Sequence, residues 1–451
     1  MENYDVVIIG GGPSGIIAGI TGLQQNKGKD FLMIKEEEKG LVPCGIPYIF
    51  HDLEDTSKNA MGPKGFVNLG GKVIIDKVVD VKIDEKIVIT ESGKQFNYKR
   101  LIFATGSTPT IPKFIKGYDL DGVYYIKKSY DYIENLRQKT VNAKNIVVIG
   151  GGFIGVEFAE QLAKFEDKKV SLIEMEKYCL SKAFSEDIAI VADKEIRDAN
   201  VKLYTESKVQ EIIGEDGKVK GVRLADGKII DADLVIASIG YKPNSELAKK
   251  IGLEINSQGA IRIDNYLRSS RPNIFAIGDC SQKVGFITGR TDNIMLASTA
   301  TSEARILGYN LCEIRVKRNF TGTISIFSTE INGTAFASAG AIEKSAEDSG
   351  IEYVVGQFAD VDRHPGTLPG TSKLFVKLIV SPGDGSVIGG AMYGGKSVGE
   401  LINLLGLIIQ KNVTVYDLIS LQVGTHPLLT TAPTKTVLIK AAENAIAKIN
   451  K

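Results

Sequence analysis

One local pattern occurs twice in this chain, and its two copies lie about 140 residues apart. The apolar run Tyr4 to Ile9 has the length of a strand and leads directly into the glycine-rich segment 10–15 and a small-residue helical stretch. The run Asn145 to Ile149 leads in the same way into the segment 150–155. Each copy is a strand, a GxGxxG turn and a helix, the order that opens a dinucleotide-binding βαβ unit. The repeat predicts an α/β protein with two Rossmann-like domains.

The glycines of each turn have separate geometric roles. The first makes the turn, the second lets the backbone approach a pyrophosphate, and the third packs the helix on the strand. The N-terminus of the helix then faces the phosphates. The candidate cofactor-binding residues of the two turns are Gly10, Gly12, Pro13, Ser14, Gly15, Gly150, Gly152, Phe153, Ile154 and Gly155.

The two units differ where the next strand ends. In the second unit the strand Val170 to Glu174 ends in a carboxylate about 20 residues after the glycines, where it can accept hydrogen bonds from an adenosine ribose. Glu176 lies close by and would repel a 2′-phosphate, so the sequence predicts NADH as the preferred nicotinamide cofactor over NADPH. In the first unit the strand runs into Lys35, and the nearest carboxylate is Glu36, one residue late.

Composition excludes several classes of protein. The chain has 451 residues, 55 basic and 54 acidic, and its net charge of +1 offers no positive field for nucleic acid or anionic lipid. Its apolar runs contain glycine clusters and fall short of a membrane span, and its acidic start lacks the basic region of a secretory signal. Four scattered cysteines without a CxxC pair indicate neither zinc nor a disulfide framework. We therefore expect a cytoplasmic protein with small-molecule partners, and no metal, nucleic acid or membrane.

Two further strands, Leu101 to Gly106 and Ile274 to Asp279, end in small residues. With the two glycine turns in this order, the chain resembles the pyridine nucleotide-disulfide oxidoreductases along essentially its whole length. The resemblance implies that the first turn and the Gly-Asp pair hold FAD, that the second turn holds the nicotinamide cofactor, and that an α+β C-terminal domain makes a homodimer. The implied domains are an FAD-binding domain at 1–112 and 248–320, an NAD(P)-binding domain at 113–247 and a dimerisation domain at 321–451.

The resemblance also implies roles for individual residues. Asp279 would bind the FAD ribitol, Glu157 would line the nicotinamide pocket, and residues 296–298 would lie beside the flavin at the start of a helix. The segment 239–244 would close the NAD domain and return the chain to the FAD domain. Beyond the two turns, the implied cofactor-binding residues are Lys35, Glu36, Pro43, Val78, Ala104, Thr105, Gly106, Glu157, Glu174, Gly240, Gly278, Asp279, Leu296, Ala297 and Ser298.

One cysteine stands in the segment 42–48 (VPCGIPY), where this family keeps its redox cysteine at the start of a helix beside the flavin. Dithiol members carry a second cysteine a few residues later, whereas here the next one is Cys179. Cys44 therefore resembles the thiol of the monothiol branch, which contains coenzyme A disulfide reductases, NADH oxidases and peroxidases, and persulfide or polysulfide reductases. A helix N-terminus would favour its thiolate, the nucleophile of disulfide exchange. Cys179, Cys280 and Cys312 are expected to be inert.

Two histidines are candidates for acid and base chemistry. The resemblance implies a histidine in the first glycine turn of the peroxidase and oxidase members, where this chain has Pro13, so the sequence disfavours a peroxidase. His426 resembles the C-terminal histidine of dithiol members, which serves the partner subunit, although Thr431 stands where an acidic residue orients it there. His364 lies in a segment similar to one in coenzyme A disulfide reductases, but Thr and Leu at 367–368 replace paired tyrosines. Both could also be surface or turn histidines.

Cys44 and His426 are thus the catalytic candidates. The leading hypothesis is an FAD-dependent NADH oxidoreductase that uses one redox cysteine to reduce a small disulfide, persulfide or polysulfide, with coenzyme A derivatives among these acceptors. One alternative is an NADH oxidase that reduces dioxygen, which needs no further motif. Another is an electron-transfer flavoprotein whose dimer face docks a protein partner.

Overall fold

The first sheet of the protein carries the first glycine turn. The computed structural model describes residues 1–318 and 322–451. Its first sheet has seven strands, in the order Lys72–Ile75, Phe31–Lys35, Glu2–Ile9, Gln95–Phe103, Ile87–Thr90 and Val78–Lys82, with Ile274–Ala276 also paired to Gln95–Phe103. The strands 78–82 and 87–90 are antiparallel additions, whereas the other strands pair in parallel. The helices of this part are Pro13–Gln25, Lys64–Asn68, Glu246–Lys250 and Ala297–Asn310.

The second sheet carries the second glycine turn. It has five parallel strands, in the order Val123–Tyr125, Leu234–Ala237, Asn145–Ile149, Lys169–Ile173 and Lys202–Tyr204. A separate antiparallel sheet follows with the strands Val209–Glu215, Lys218–Leu224 and Ile229–Asp231. The helices of this part are Tyr130–Asn142, Phe153–Ala163 and Glu186–Asp198. The two Rossmann-like units predicted from the glycine turns are therefore confirmed.

Strand register makes the two units directly comparable. Ile9 pairs with Ile34 in the first sheet, and Ile149 pairs with Ile173 in the second. The backbone N–H of Gly10 donates to the carbonyl of Ile34, and that of Gly150 donates to the carbonyl of Ile173, both at 2.8 Å. The residue after that carbonyl is Lys35 in the first unit and Glu174 in the second, so these two side chains occupy equivalent positions.

The C-terminal part is an antiparallel sheet covered by helices. Its five strands run in the order Phe327–Ile331, Thr334–Gly340, Val387–Gly394, Lys373–Val380 and Val354–Val361. Its helices are Glu343–Ser349, Val398–Gln410, Val415–Leu418 and Val437–Ile449. The sequence also suggests a strand from Thr323 to Phe327, and this prediction is wrong, because the strand begins at Phe327 and Thr323 makes only an isolated bridge to Gly285. The expected domain boundary between residues 320 and 321 lies outside the described residues.

Short strand pairs and 3₁₀ helices connect the three parts of the chain. The two-stranded pairs are Gly40–Leu41 with Ala60–Met61, Ser107–Pro109 with Tyr241–Pro243, and Lys283–Val284 with Thr291–Asp292. The 3₁₀ helices are Pro43–Gly45, Pro47–Phe50, Thr56–Asn59, Gly278–Cys280 and Pro433–Lys435. No helix among residues 1–318 and 322–451 is long and apolar enough to cross a membrane.

Aromatic side chains join the unit of the second glycine turn, which is expected to hold the nicotinamide cofactor (the nicotinamide unit), to the C-terminal sheet. The ring of Phe153 stacks on Phe327 with a centroid separation of 5.2 Å and meets Phe184 at 6.1 Å. Phe184 in turn meets Phe336 of the sheet at 6.2 Å. These contacts belong to a buried apolar cluster that also contains the segment after Cys44, so one core spans all three parts.

A buried lysine joins the same two parts through ion pairs. The ammonium of Lys377, on a strand of the C-terminal sheet, lies 2.6 Å from a carboxylate oxygen of Asp187 and 2.7 Å from one of Glu343. It also donates to the hydroxyl of Ser185 at 3.1 Å. Because Asp187 begins the helix Glu186–Asp198, this ion pair ties the nicotinamide unit to the sheet.

Candidate active site

The N-termini of two helices are free to receive phosphates. Gly12 and Gly152 are the N-cap residues of helices Pro13–Gln25 and Phe153–Ala163, and neither helix has a side-chain cap. Uncapped helix starts present backbone N–H groups, and a pyrophosphate can accept hydrogen bonds from them. A Cβ added at either N-cap glycine would meet no atom within 4 Å, whereas a Cβ at Gly15 or Gly155 would lie 2.2 or 1.9 Å from a backbone oxygen. The turns therefore fit two dinucleotides, with space at one glycine and tight packing at another.

The residues that follow the second strand of each unit differ in charge. Glu174 accepts the backbone N–H of Gly151 at 2.6 Å through one oxygen and that of Glu176 at 2.8 Å through the other. Lys35 lies beneath the first turn, is buried, and donates to the backbone carbonyl of Glu38 at 3.0 Å. Glu36 instead points outward and pairs with Lys77 at 3.4 Å. The structure thus places Glu174 at its predicted position beside the turn, and it places Glu36 away from the equivalent position, which Lys35 fills.

Asp279 lies in a polar cluster where the unit of the first glycine turn, which is expected to hold FAD (the FAD unit), meets the nicotinamide unit. Its Oδ2 accepts hydrogen bonds from Ser107 Oγ at 2.8 Å and from Lys128 Nζ at 2.7 Å. Lys128 also donates to Ser107 at 2.8 Å, and its ammonium lies 4.9 Å from the centroid of the Tyr241 ring. Burial alone would raise the pKa of Asp279, but Lys128 and Ser107 outweigh it and hold this pKa below its usual value. The Asp279 carboxylate is therefore ionised.

Hydrogen bonds and an ion pair from Glu303 and Lys283 hold the loop around Asp279 in place. Glu303, on helix Ala297–Asn310, accepts the backbone N–H of Gly278 at 2.9 Å and pairs with the buried ammonium of Lys283 at 3.2 Å. Lys283 also donates to the backbone carbonyl of Gly278 at 2.7 Å. Gly278 has a φ of 71°, and a Cβ there would lie 2.7 Å from the Ser14 hydroxyl. This bracing fixes the Gly-Asp pair against the first glycine turn.

Cys44 lies in a short 3₁₀ turn that faces the nicotinamide unit. The turn Pro43–Gly45 is followed by the 3₁₀ turn Pro47–Phe50, whose Phe50 ring packs 4.8 Å from that of Phe158. Gly45 is required here, because a Cβ would lie 2.1 Å from the side-chain oxygen of Asn59. The Cys44 thiol is exposed, and all four cysteines of the chain are free.

Cys44 lies at the start of a helix, as expected, but this helix is a short 3₁₀ helix and not an α-helix. The pKa of its thiol is raised and not lowered. Pro47 has no N–H with which to close an α-helical turn onto the Pro43 carbonyl, so only 3₁₀ turns form. Although the Cys44 residue is exposed, the protein atoms around its sulfur remove water from a thiolate and so raise the pKa of Cys44, and the charge of Glu157 adds to this shift. The charge of Lys128 opposes the shift, and that of Asp279 adds to it. The pKa of Cys44 is therefore influenced by two carboxylates and one ammonium.

Glu157 connects the nicotinamide helix to the C-terminal sheet. It lies on helix Phe153–Ala163, and its Oε1 accepts a hydrogen bond from the hydroxyl of Thr329 at 2.8 Å. Burial raises the pKa of Glu157 to about 7, the Thr329 hydrogen bond opposes this shift, and the charge of Glu160 adds to it. A carboxyl group with this pKa can hold or release a proton near neutral pH.

The two candidate histidines lie together on the C-terminal part. His364 donates its backbone N–H to the carbonyl of Pro427 at 3.1 Å, and its Nδ1 lies 3.0 Å from the carbonyl of Thr430. The exposed His426 accepts the backbone N–H of Leu428 at its Nδ1 at 3.3 Å. Within the described part of one chain, no hydrogen bond or ion pair joins either histidine to the Cys44 thiol.

The remaining predicted residues lie at several places in and beside the first sheet. Thr105 donates to the carbonyl of Asn244 at 2.6 Å, and the Asn244 amide returns a hydrogen bond to Thr105 at 2.9 Å. Leu296 is the N-cap of helix Ala297–Asn310, as expected for a segment at a helix start. Val78 opens a strand of the antiparallel addition to the first sheet. The backbone at Gly106 and Gly240 has φ of 69° and 104°, values that suit glycine, and Ala104 abuts Gly10 at the end of its strand.

Three polar residues of this site, Ser107, Lys128 and Thr329, are not among those predicted from the sequence. Ser107 directly follows the predicted segment 101–106, and this adjacency could have suggested it. Lys128 and Thr329 come from other domains than the groups they bind, and neither lies in a recognisable motif. Their roles emerge only when three separate parts of the chain are folded together.

Comparisons with known proteins agree with this architecture. A family model described as pyridine nucleotide-disulphide oxidoreductase matches residues 4–304, and the model of its dimerisation domain matches residues 328–437. The chain is 30% identical to an NADH oxidase of Methanocaldococcus jannaschii, over 98% of this chain and 99% of that protein. It is 27% identical to an NAD(P)H coenzyme A polysulfide/persulfide reductase of Pyrococcus horikoshii, over 83% and 84%.

Among solved structures, the NAD-dependent persulfide reductase from A. fulgidus has the same fold. It superposes with a TM-score of 0.89 at 30% identity, over 99% of this chain and 84% of that one. The chain therefore belongs to the pyridine nucleotide-disulfide oxidoreductase family, whose members are oxidoreductases that work with FAD and a nicotinamide cofactor.

Proposed function

We propose that this protein is a monothiol reductase that transfers electrons from NADH to a small sulfur acceptor through Cys44. The observation that carries the proposal is Cys44, an exposed thiol whose 3₁₀ turn leads into a second turn packed on Phe158 of the nicotinamide helix. The charges of Glu157 and Asp279 both influence this thiol. FAD, when bound at the first glycine turn, supplies the two-electron chemistry that connects NADH to the thiol. The other cysteines are free, and two of them, Cys179 and Cys280, are buried.

The chemistry of the thiol is disulfide exchange. The Cys44 thiolate attacks the sulfur acceptor, the sulfur–sulfur bond of the acceptor breaks, and its leaving sulfur departs as a thiolate. Cys44 then holds the other sulfur as a mixed disulfide or a persulfide. An electron pair delivered to that bond releases the reduced sulfur and returns Cys44 to the thiolate. No second cysteine near Cys44 is needed for this cycle.

The acceptor class follows from the relatives. The persulfide reductase and the coenzyme A polysulfide/persulfide reductase support a sulfane sulfur or a low-molecular-weight disulfide, with coenzyme A derivatives included. Glu174 supports NADH over NADPH, because its carboxylate stands where a 2′-phosphate would be repelled.

An NADH oxidase is the second candidate. The relative from Methanocaldococcus jannaschii carries that name and aligns along 98% of this chain. Reduction of dioxygen needs no residue beyond those that bind the two cofactors.

We also propose a cytoplasmic homodimer with the four domain segments predicted from the sequence. The helix Val398–Gln410 leaves Leu404 and Leu407 exposed, and Leu428 and Leu429 are exposed beside His426. These apolar side chains all lie within the segment that matches the dimerisation domain model. They suit contact with a second copy of the chain. His426 of one chain would then serve the site of the other. Leu407→Glu should yield a monomer in size-exclusion chromatography with light scattering, whereas Val141→Glu, on an exposed face of the nicotinamide unit, should leave the dimer intact.

Anaerobic turnover tests the thiol. Cys44→Ser should bind FAD and be bleached by NADH, yet lose turnover with polysulfide and coenzyme A disulfide. Cys312→Ser is the matched control and should keep full turnover, because Cys312 lies outside the site. Undiminished sulfur turnover by Cys44→Ser would refute the proposal, and NADH consumption that requires oxygen in both variants would favour the oxidase.

A further inference from the structure

A segment of the nicotinamide unit packs against the second glycine turn. Residues 179–187 (the bridging segment) run from a buried cysteine beside this turn to the start of the helix Glu186–Asp198. The backbone N–H of Leu180 donates to the carbonyl of Gly151 at 2.9 Å. A Cβ added at Gly151 would lie 2.6 Å from the sulfur of Cys179. The bridging segment therefore contacts the middle glycine of the turn directly.

This contact sets the direction of one peptide group in the turn. Glu174 accepts the Gly151 N–H at 2.6 Å, and Leu180 donates to the Gly151 carbonyl, so both peptide groups of this glycine are held. In a planar trans peptide, the N–H points opposite to the carbonyl. The Leu180 contact therefore orients the N–H of Gly152, the helix N-cap, which makes no hydrogen bond within the described residues. An N–H in this position is free to bind a pyrophosphate oxygen.

The first glycine turn has no such contact. The equivalent carbonyl is that of Gly11, and it accepts no hydrogen bond from residues 1–318 or 322–451. A Cβ added at Gly11 would meet the flexible side chain of Lys35 at 2.8 Å, where the second turn meets the bridging segment. The second turn is thus held by a backbone contact that the first turn lacks.

Leu180 makes this contact in an unfavourable backbone conformation. Its φ of 58° lies in the left-handed region, which residues other than glycine seldom occupy because their Cβ crowds the backbone. Such a conformation persists only where the surrounding structure holds it. At the start of the bridging segment, Asp193 accepts the Cys179 N–H at 3.0 Å. The Leu180 carbonyl accepts the N–H of Phe184 at 3.1 Å.

The C-terminal sheet holds the other end of the bridging segment. The buried ammonium of Lys377 donates to the Ser185 hydroxyl at 3.1 Å and lies 2.6 Å from a carboxylate oxygen of Asp187. The ring of Phe184 meets that of Phe336 at 6.2 Å. Lys377 and Phe336 both lie on strands of the C-terminal sheet. One charged and one aromatic contact therefore connect this sheet to the segment that orients the turn.

We propose that Lys377 is a positioning residue for NADH, and that the C-terminal sheet takes part in binding this cofactor through the bridging segment. Lys377 holds the end of the segment, the segment keeps Leu180 in its left-handed conformation, and Leu180 orients the peptide group before the helix N-cap. Lys377 acts without touching the cofactor in this arrangement. The proposal requires NADH to bind at the second turn and is independent of the electron acceptor.

Calorimetric titration of the oxidised, FAD-loaded protein with NAD⁺ tests this role, since NAD⁺ binds without reducing the flavin. Lys377→Met removes the ammonium and keeps most of the apolar length of the side chain. It should raise the dissociation constant of NAD⁺ about fivefold, the scale expected for a coupled network that does not touch the ligand. ADP-ribose, which carries the pyrophosphate without the nicotinamide, should lose affinity by the same factor. The dissociation constant of FAD should stay unchanged, because FAD is expected at the first turn.

Anaerobic stopped-flow mixing with NADH gives a second readout. In Lys377→Met, the NADH concentration for half-maximal flavin reduction should rise by the same factor, while the limiting rate of reduction stays at the wild-type value. A general loss of packing would lower the limiting rate and the FAD affinity as well.

Two variants separate the bridging segment from the rest of the ion cluster. Glu343→Gln removes the other carboxylate partner of Lys377, which lies on a helix of the C-terminal part, and should leave NAD⁺ affinity unchanged. Lys377→Arg keeps the charge and the donors, so it should restore most of the affinity. If Lys377→Met does not load FAD, Asp187→Asn weakens the same contact from the other side and should also lower NAD⁺ affinity.

Wild-type affinity for NAD⁺ in the FAD-loaded Lys377→Met variant would overturn the inference, and so would an equal loss of affinity in Glu343→Gln. A loss for NAD⁺ without a loss for ADP-ribose would also overturn it, because the effect would then lie at the nicotinamide and not at the turn. None of these measurements uses a sulfur acceptor, so their outcome is separate from that of the Cys44→Ser experiment.

Discussion

Glu157 should make the protein less stable at neutral pH than an uncharged side chain of the same shape. Its carboxyl group ionises at about pH 7 in the folded protein, against an ordinary value of 4.5, mainly because it is buried. The charged form is therefore disfavoured by the fold. Glu157→Gln removes the charge and keeps a side-chain oxygen that can accept the Thr329 hydrogen bond, so it isolates the electrostatic effect.

The sign and size of the effect follow from the two pKa values. Below about pH 4 the group is protonated in both states, and the variant should be as stable as the wild type. As pH rises from 4.5 to about 7, the unfolded chain ionises while the folded protein does not, so wild-type stability falls relative to the variant. Above pH 7 the difference is constant. At about 1.4 kcal/mol per pH unit, the separation corresponds to about 3 kcal/mol in favour of Glu157→Gln at pH 8.

Urea unfolding of the flavin-loaded proteins, followed by circular dichroism at pH 4, 6 and 8, measures this difference. Glu166→Gln is the matched control, because Glu166 is exposed just beyond the end of the same helix, and its neutralisation should leave the stability nearly unchanged. A Glu157→Gln variant whose advantage over the wild type does not grow between pH 4 and pH 8 would refute the reasoning.

Three further outcomes are expected. Gly12→Ala should fold normally, because its Cβ meets no protein atom within 4 Å, yet bind FAD at least tenfold more weakly, as the ratio of absorbance at 450 and 280 nm and an FAD titration will show. Glu174→Arg should shift the ratio of kcat/KM for NADPH over NADH upward by at least tenfold, since it replaces a repelling charge with an attracting one; an unchanged ratio would contradict the assignment. Lys377→Met should destabilise the protein by about 1 kcal/mol in thermal unfolding, because Glu343 loses its ammonium partner while the half-exposed Asp187 is solvated instead. The exposed Lys373→Met on the same strand should have little effect in that assay.

The glycine turns could be predicted because they are local. The strand expected at Asn145 to Ile149 has those bounds in the structure, and a helix follows each turn as expected. Tight packing at the third glycine and open space at the second depend only on a few neighbouring residues, which the sequence spacing already specifies. The resemblance then extended this reading to Asp279 and to the helix start at Leu296.

The site's electrostatics could not be predicted in the same way. Thr329 meets Glu157, and Lys128 meets Asp279, across domain boundaries with 172 and 151 residues between the partners. No local pattern indicates such pairs. The helix expected at Cys44 forms only as 3₁₀ turns, for a local reason that the sequence did contain, because Pro47 removes the N–H that an α-helical turn would need. The roles assigned to the individual site residues stay predictions.

The contacts of Phe153 and Lys377 with the C-terminal sheet limit how this enzyme can be recombined with its relatives. A hybrid that exchanged only the nicotinamide segment would import a foreign aromatic partner for Phe327 and a foreign acid for Lys377. Exchange of cofactor preference by domain grafting should therefore succeed only when the donor segment and the C-terminal sheet are taken from the same parent. Single substitutions such as Glu174→Arg, which leave both contacts intact, are the more tractable route to a redesigned cofactor preference.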